Sequence, residues 1–295
     1  MKILDSKSQK EEEIIREICQ WVEKNNANPE YKENEYAIRL QYKFFGCDVA
    51  KVKKNLSLYY KKRSQVITQY GRYDNIYENL RNSYDMVAGG LLPEKNPFEH
   101  SVIIVKVTNY DKDINFMDGQ MRLILAVETL QKEDLLGKKV ICVIDYSGIS
   151  LSYLFKLNIF ALQKAYKTWK DFAFLSCSEI HHINMPLYSH YIVNLANYIL
   201  DEKLKKVNYY HTENLSEFYE HVPKEILPKE YGGNAPEIKE LSEIWYEETM
   251  KRCDPVIEHF KTLAEKSTKI KKTSKSFYEI PFKLFGKLRK RTNAT

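Results

Sequence analysis

The chain has 295 residues, of which 43% are hydrophobic and 29% are charged, and its net charge is +6. This is the composition of an ordinary folded protein, and it excludes a globally disordered chain. The sequence has neither an apolar run near the ~18 residues that cross a bilayer nor the apolar region of a secretory signal, so it predicts a cytosolic protein.

The first 80 residues predict a small all-α unit. Apolar residues fall on one face of an amphipathic helix over residues 8–25, and acidic residues occupy its first turn. Helical spacing of apolar residues resumes from Tyr36 to Tyr60. We place this helical domain at residues 8–80. Its boundary falls at AGGLLPEKNP, residues 88–97, because glycine and proline interrupt regular structure.

Beyond that boundary, strands and helices alternate. The segments of strand length are SVIIVKV at 101–107, KVICVIDYSG at 139–148, FAFLSCSEIHHI at 172–183 and KVNYY at 206–210. Helical patterns lie between them near 116–133, at 151–169 and after Pro186. Strands that are apolar on both faces and separated by helices predict an α/β fold with a mostly parallel sheet.

Three motifs follow one another along the strands and the turn after them. They are VIDYSGIS at 143–150, IHHINMP at 180–186 and LPKEYGG at 227–233. Together they resemble the signatures of the CRAL-TRIO family of lipid-binding proteins, and among these the alpha-tocopherol transfer and retinaldehyde-binding branch. The resemblance extends over about residues 10–250. It implies a lipid-binding domain at 96–250, whose sheet floors an apolar cavity under a helical lid.

The turn LPKEYGG closes the lipid-binding domain in this family. Its two glycines reach backbone conformations that other residues avoid, and Pro228 ends the preceding helix. Glu230 and Tyr231 are expected to supply buried polar contacts that fix the turn. We therefore assign the motif to structure rather than to chemistry, and we interpret Asp145, at the carboxyl edge of a strand, as a loop-fixing carboxylate.

The resemblance places the lid at residues 186–205, where apolar side chains form a broad stripe. Such a stripe covers a lipid or enters a membrane, and a helix packed permanently on the core has the same pattern. The lid residues are Leu187, Tyr188, Tyr191, Ile192 and Leu195. The positions aligned with lipid-facing ones are Met121, Ile124, Ile144, Leu151, Leu157, Leu175, Cys177 and Ile180. All are apolar or cysteine, as burial of an alkyl chain requires, although core packing predicts the same residues.

Some relatives hold phosphoinositide headgroups with a basic cluster. This sequence has Ser176 and Ser178 at the strand positions of those bases, and Val207 where an arginine would stand. These departures weigh against release coupled to phosphoinositides. The candidate headgroup or membrane contacts that remain in the body of the chain are Arg39, Lys43 and Lys203.

No catalytic, metal or cofactor site is predicted. Ser147 does not lie in a GxSxG elbow and is interpreted as a turn residue. His181 and His182 are neighbours in a strand, so their side chains point to opposite faces and do not chelate one metal together. The five cysteines are scattered without a CxxC pair, and we interpret them as reduced and mostly buried.

The last 30 residues carry the basic charge of the chain. Residues 266–295 hold ten lysines and arginines against one acid, which leaves the rest of the chain mildly acidic. After Pro281, apolar side chains fall on one side of a short helical pattern and basic ones on the other. The basic side chains that would contact an anionic membrane are Lys283, Lys287, Lys290 and Arg291. A solvated tail explains the charge equally well, and nucleic-acid binding is not expected because the body is acidic.

The sequence thus predicts a monomeric carrier that encloses one hydrophobic lipid, such as a tocopherol or a retinoid. It would exchange this lipid at membranes by opening the helix at 186–205, and it would use no cofactor and no catalysis. A membrane-associated adaptor that senses phosphoinositide headgroups without carrying cargo is the alternative. A lipid-modifying α/β enzyme is a third hypothesis, which turnover blocked by Ser147→Ala would support.

Overall fold

The computed structural model describes residues 2–25, 35–58, 76–108, 119, 122, 125–126, 139–150, 160, 163, 177–212 and 214–271. The helices are α1 (Lys2–Asn25), α2 (Glu35–Phe44), α3 (49–58), α4 (Ile76–Met86), α5 (Ser189–Ile199), α6 (Glu202–Lys205), α7 (Ser216–His221) and α8 (Ile238–Lys271). The strands are β1 (Val87–Leu91), β2 (Ser101–Val107), β3 (Val140–Asp145), β4 (Cys177–Ile183) and β5 (Asn208–Tyr210). Two 3₁₀ turns, Lys224–Ile226 and Lys229–Tyr231, lie between α7 and α8.

Helices α1, α2 and α3 share a small apolar core of their own. Ile18, Ile38 and Leu56, one from each helix, are fully buried in it. This confirms the predicted amphipathic helix at the start of the chain. The helical pattern predicted from Tyr36 to Tyr60 is interrupted after α2, because Gly46 and Cys47 both have positive φ, at 65° and 62°. The chain turns there before α3.

The predicted domain boundary at residues 88–97 is wrong in its first half, because Val87–Leu91 form β1 at the edge of the sheet. The glycines that indicated a break have no side chain, and this allows neighbouring segments to approach β1 closely. A Cβ on Gly90 would lie 2.0 Å from Cδ1 of Trp245 in α8. The Trp245 indole also donates a hydrogen bond to the carbonyl of Leu91, at 2.8 Å. The preceding helix, α4, contributes Ile76, Leu80 and Tyr84 to the same core as the sheet.

The five strands lie in the order β1-β2-β3-β4-β5. Strand β1 runs antiparallel to β2, and every later pair is parallel, which confirms the predicted mostly parallel α/β sheet. The strands predicted at 101–107, 139–148 and 206–210 are present. The one predicted at 172–183 is present over Cys177–Ile183, and residues 172–176 lie outside the described residues.

Paired residues in neighbouring strands point to the same side of a sheet, so the register defines two faces. The packed face carries Val102, Ile104, Ile141, Val143, Asp145, His181 and Ile183, each at most 2% exposed. The open face carries the half-buried Ile103, Val105, Cys142, Ile144 and Ile180, together with the buried Leu91, Ser101, Val140 and His182. Helices α4, α7 and α8 contribute to the core on the packed face through Leu80, Phe218 and Leu241.

Helix α8 runs through Lys271, so the first six residues of the predicted basic tail continue this helix. Residues 272–295, with the predicted amphipathic segment after Pro281, lie outside the described residues. Within the described ranges, no helix combines the length and the apolar composition needed to cross a bilayer.

The prediction that the cysteines are mostly buried is wrong for those whose surroundings the structure describes. Cys47 is exposed, because it lies in the turn between α2 and α3, whereas Cys19 and Cys142 are half-buried.

Candidate functional site

The three sequence motifs meet at one carboxylate, Asp145, at the carboxyl end of β3. Its Oδ1 accepts from the backbone N–H of Ser147 and from Nδ2 of Asn184, both at 2.8 Å. Its Oδ2 accepts from the Ser147 hydroxyl at 2.9 Å and from the Tyr231 hydroxyl at 2.5 Å. Lys106 Nζ lies 3.5 Å from the same Oδ2. This confirms the interpretation of Asp145 as a loop-fixing residue.

The hydrogen bonds at Asp145 also set its charge. Burial by itself would raise the pKa of this carboxyl, but the donors on Tyr231, Asn184 and Ser147 stabilise the carboxylate more strongly. The pKa of Asp145 is therefore held below its ordinary value of 3.8. At neutral pH the side chain of Asp145, where the three motifs meet, is therefore a fully ionised carboxylate.

The LPKEYGG turn has the structural role that the sequence predicted. Gly232 adopts φ +78°, and a Cβ on Gly233 would lie 2.0 Å from the carbonyl oxygen of Leu227. Both positions therefore require glycine. Glu230 is exposed rather than buried, and its carboxylate accepts from the backbone N–H of Ile238 at 2.8 Å, which caps the first turn of α8.

A cleft of about 470 Å³ lies beside Asp145. Its lining includes the charged side chains of Lys106, Asp145, Lys224 and Glu230 besides a few apolar and aromatic ones. The predicted lipid cavity would instead be lined by apolar side chains. The cleft is therefore a polar groove at the carboxyl edge of the sheet.

Two of the predicted lipid-facing residues, Ile144 and Ile180, lie on the open face of the sheet and are half-buried. Ile180 is paired with Cys142, and Ile144 with Val105, so the described apolar side chains of this face are contiguous across three strands. The backbone of Cys177 begins β4, and its side chain lies outside the described parts. The remaining predicted positions, Met121, Ile124, Leu151, Leu157 and Leu175, lie outside the described residues.

The segment predicted to be one lid helix, residues 186–205, forms two helices instead, α5 and the short α6, because α5 ends at Ile199. The apolar stripe of this segment is divided between two environments. Ile192 is buried, and the hydroxyl of Tyr188 donates to the carbonyl of Ile149. Leu187 and Tyr191 are 92% and 50% exposed, and Tyr198, the next-to-last residue of α5, is 72% exposed. Leu195 is half-buried.

The predicted basic contacts differ in how far they are free to meet a headgroup. Arg39 forms ion pairs with Glu12 in α1 and Glu35 in α2, so its guanidinium joins these two helices. Lys43 is exposed in the last turn of α2. Lys203 lies in α6, and its side chain is outside the described parts. Lys283, Lys287, Lys290 and Arg291 lie outside the described residues.

Sequence reasoning missed a cluster of four polar side chains on the packed face, which we name the histidine cluster: Glu179, His181, His211 and His221. Glu179 Oε2 lies 3.1 Å from His181 Nε2 and 2.8 Å from His221 Nδ1, and His181 Nδ1 lies 3.0 Å from His211 Nε2. Burial lowers the pKa of His181 to about 4, so this imidazole is neutral at pH 7. Strand alternation alone would have placed Glu179 and His181 on one face.

His182 lies on the open face, as the sequence predicted for a neighbour of His181. Its Nδ1 lies 3.0 Å from the Tyr146 hydroxyl and its Nε2 lies 2.7 Å from the side-chain oxygen of Asn208. Burial lowers the pKa of this imidazole as well. The two adjacent histidines thus belong to separate hydrogen-bond networks.

The sequence was compared with models of protein families and with curated proteins. Residues 90–233 match the CRAL/TRIO domain. The chain is 27% identical to clavesin-1 of Rattus norvegicus over 50% of its own length and 42% of that protein. It is 22% identical to clavesin-2 of Homo sapiens over 61% of its length and 56% of that protein. The alpha-tocopherol transfer protein-like protein of Pongo abelii is 27% identical, over 56% of this chain and 51% of the relative.

These matches span about half the length of the curated relatives. Among solved structures, a crystal structure of Sfh5 superposes with a TM-score of 0.51 at 15% identity, covering 78% of this chain and 88% of Sfh5. That likeness concerns the fold. The three motifs that converge on Asp145, the mostly parallel sheet and the match over residues 90–233 agree with one another. The chain therefore carries a CRAL/TRIO domain over residues 90–233, as the three motifs predicted.

Proposed function

We propose that this protein binds one hydrophobic lipid against the open face of its sheet and transfers it between membranes without catalysis. The observation that carries the proposal is the difference in burial between the two faces. Most apolar side chains on the open face, among them Ile144 and Ile180, are left half-buried, whereas those of β2, β3 and β4 on the packed face are buried. Leu91 and Val140 are exceptions on the open face, because both belong to the core. Contiguous apolar surface that the fold leaves incompletely buried is suited to an apolar ligand.

The family supports the same proposal. One relative is named as alpha-tocopherol transfer protein-like, which makes a lipid of that kind a reasonable first ligand to test. The exposed side chains of Leu187, Tyr191 and Tyr198 suit contact with a membrane, because aromatic and aliphatic groups partition into the interface. Helix α5 would then be the element that opens when the protein docks.

A non-catalytic role is supported by the surroundings of Ser147. Its hydroxyl donates to Asp145, which is the arrangement of a turn-fixing serine. A nucleophilic serine would instead donate to a base such as an imidazole. We therefore propose binding and transfer, with no chemical step.

The test is loading with lipid followed by native mass spectrometry of the full chain. Purified protein is incubated with vesicles of mixed phospholipid that contain α-tocopherol and retinaldehyde. We expect one lipid per chain in the wild type. Ile144→Asp should abolish loading, because a carboxylate on the open face would be desolvated by an apolar ligand. Ile244→Asp is the matched control, since Ile244 is 42% exposed on α8 and should load normally.

Two outcomes would count against the carrier. A wild type that stays empty but binds vesicles would favour the adaptor that senses headgroups. Equal loading of Ile144→Asp and the wild type would move the lipid away from the open face. Circular dichroism of each variant would show whether loss of loading reflects loss of folding.

Transfer is tested with the helix α5 residues. We expect the double variant Leu187→Asp with Tyr198→Asp to load lipid normally but to transfer it between vesicles at least fivefold more slowly. Leu195→Asp should also lower transfer. Phe98→Asp, which charges an exposed aromatic residue in the β1–β2 loop, is the control that should transfer normally. Unchanged transfer in the double variant would exclude α5 as the docking element.

We further propose that the basic tail strengthens membrane attachment. Each basic residue near an anionic leaflet contributes about 1 kcal/mol. Truncation after Lys271 keeps α8 intact and should weaken binding to phosphatidylserine vesicles at low salt. High salt should remove the difference, because it screens the charges. Equal binding by the truncated protein at low salt would contradict the proposal.

A further inference from the structure

The histidine cluster lies on the packed face, away from the open face on which the lipid proposal depends. We propose that Glu179, His181 and His221 form a binding site for one transition-metal dication, of which Zn²⁺ is the natural probe. Each offers one ligand atom, and these atoms all lie within 4.8 Å of one another. One carboxylate and two imidazoles form a donor set that Zn²⁺ and Co²⁺ accept in proteins.

The two separations that involve Glu179 are close to those of a tetrahedral site, and the two imidazole nitrogens lie within 4.8 Å of each other. With bonds of about 2.0–2.1 Å, neighbouring ligand atoms of a tetrahedral zinc ion lie about 3.3 Å apart. Glu179 Oε2 lies 3.1 Å from His181 Nε2 and 2.8 Å from His221 Nδ1. An ion would therefore open these two separations by about 0.5 Å or less.

The two ligands that must move are the ones with room to do so. The side chain of Glu179 is 20% exposed and that of His221 is 30% exposed, whereas His181 is fully buried. The buried imidazole thus fixes the inner side of the site. The partly exposed pair gives an ion a route from solvent and leaves the fourth position to a water molecule.

His211 supplies the support that a metal-bound imidazole requires. A ligating histidine presents one bare nitrogen to the ion and donates its other N–H to an acceptor. His181 Nδ1 lies 3.0 Å from His211 Nε2, so His181 has an acceptor for that proton while Nε2 faces Glu179. His211 is therefore a positioning residue.

The surrounding rings and backbone hold the ligands in place. The His181 ring is stacked on Tyr209, at a centroid distance of 4.9 Å, and tilted against Phe218 at 5.4 Å. His221 ends α7, and its carbonyl accepts a hydrogen bond from Nδ2 of the buried Asn96 at 3.0 Å. Ligands contributed by a strand and a helix end are thus positioned before any ion arrives.

The test is zinc titration of the untagged full chain, stripped with chelator and kept under a phosphine reductant. We expect saturable uptake of one Zn²⁺ per chain by calorimetry and a rise in the melting temperature on loading. Glu179→Gln and His221→Gln should each weaken uptake at least tenfold. His211→Gln should weaken it by roughly 10- to 100-fold, as loss of a supporting partner does.

The control variant is His190→Gln, which removes an exposed histidine of α5 that lies outside the cluster. It should bind zinc as the wild type does. Absence of saturable uptake in the wild type would overturn the proposal, as would equal affinity in Glu179→Gln and His221→Gln. The cluster would then be a hydrogen-bond network alone.

A second measurement does not depend on any variant folding. X-ray absorption of the zinc-loaded wild type should show a shell of nitrogen and oxygen ligands at about 2.0–2.1 Å with the signature of two imidazoles. A sulfur shell at about 2.3 Å would assign the ion to cysteine and overturn the proposal. Failure of lipid loading would leave this result unaffected, because the two proposals use opposite faces of the sheet.

Discussion

The two faces of the sheet are formed by the same strands but differ in how completely their apolar side chains are buried. In β4, His181 and Ile183 point into the packed face, while Ile180 and His182 point to the open face. On the packed face the apolar side chains from β2 and β3 are sealed, and α4, α7 and α8 contribute to the same core. On the open face most apolar residues remain half-buried, although Leu91 and Val140 are buried.

Successive residues of a strand point to opposite faces of the sheet. A residue that stabilises the core therefore lies next to one that is proposed to contact the ligand. The packed face holds the fold, and so it also fixes the geometry of Asp145 and the histidine cluster. The open face contributes less to the core, which leaves its apolar surface available for a ligand. Substitutions at neighbouring positions should therefore have different consequences.

The largest effect is expected for a pair of isoleucines in β2. Ile104→Ala removes a side chain that is 0% exposed on the packed face, and it should lower the free energy of unfolding by about 2–5 kcal/mol. Ile103→Ala changes the neighbouring, half-buried residue of the open face and should cost about half as much or less. Urea unfolding followed by circular dichroism measures both. Equal losses would mean that the two faces are packed alike.

A pair of glycines gives the next largest effect. Gly90→Ala places a Cβ 2.0 Å from the Trp245 ring on the packed face, and this overpacking should destabilise the protein by about 1–3 kcal/mol. Gly119→Ala is the control, because Gly119 is exposed, helical and has no atom within 4 Å of the added Cβ. It should be neutral or stabilising by up to about 1 kcal/mol. Thermal unfolding compares them, and similar melting temperatures for both variants would argue against close packing of β1 on α8.

The smallest effect is a change in the pH dependence of stability at Asp145. Because hydrogen bonds hold the pKa of Asp145 below 3.8, the folded carboxylate stabilises the protein above that value. The stabilisation is lost as the pH falls below about 4 and through the folded pKa. The difference in unfolding free energy between the wild type and Asp145→Asn should thus be present at pH 6 and shrink towards pH 3.

Urea unfolding at a series of pH values measures that difference. All other titrating groups are common to the two proteins, so their contributions cancel. A difference that is constant between pH 6 and pH 3 would mean that the charge of Asp145 does not stabilise the joint between the motifs. Tyr231→Phe, which removes one donor, should reduce the pH dependence without abolishing it.

Much of the fold followed from local pattern. The β-branched run at Ser101–Val107 and the alternation of strands and helices predicted the parallel sheet, because these signals extend over several residues of one element. The edge strand β1 was missed, because Gly89 and Gly90 indicate a break unless their partners are known. The position of Trp245, far along the chain, explains Gly90, and the close approach of the Ile104 carbonyl in β2 explains Gly89.

The residues of the candidate site were likewise predicted only in part. The carboxylate at the end of β3 and the turn at Gly232 and Gly233 were assigned structural roles from sequence, and the geometry agrees. The histidine cluster was not found, because His211 and His221 lie 30 and 40 residues beyond His181 in no recognisable spacing.

The sequence by itself determined the class of fold, the resemblance to the CRAL-TRIO family and the positions of β2–β5, since periodicity and motif residues are local properties of the chain. Tertiary structure decided which residues meet. Parallel strands β3, β4 and β5 bring the ends of distant segments to one edge, and this placed Asn184 and Tyr231 on Asp145. The same pairing decided which face of each strand is sealed, because burial depends on the helices that pack against the sheet and not on the strand alone.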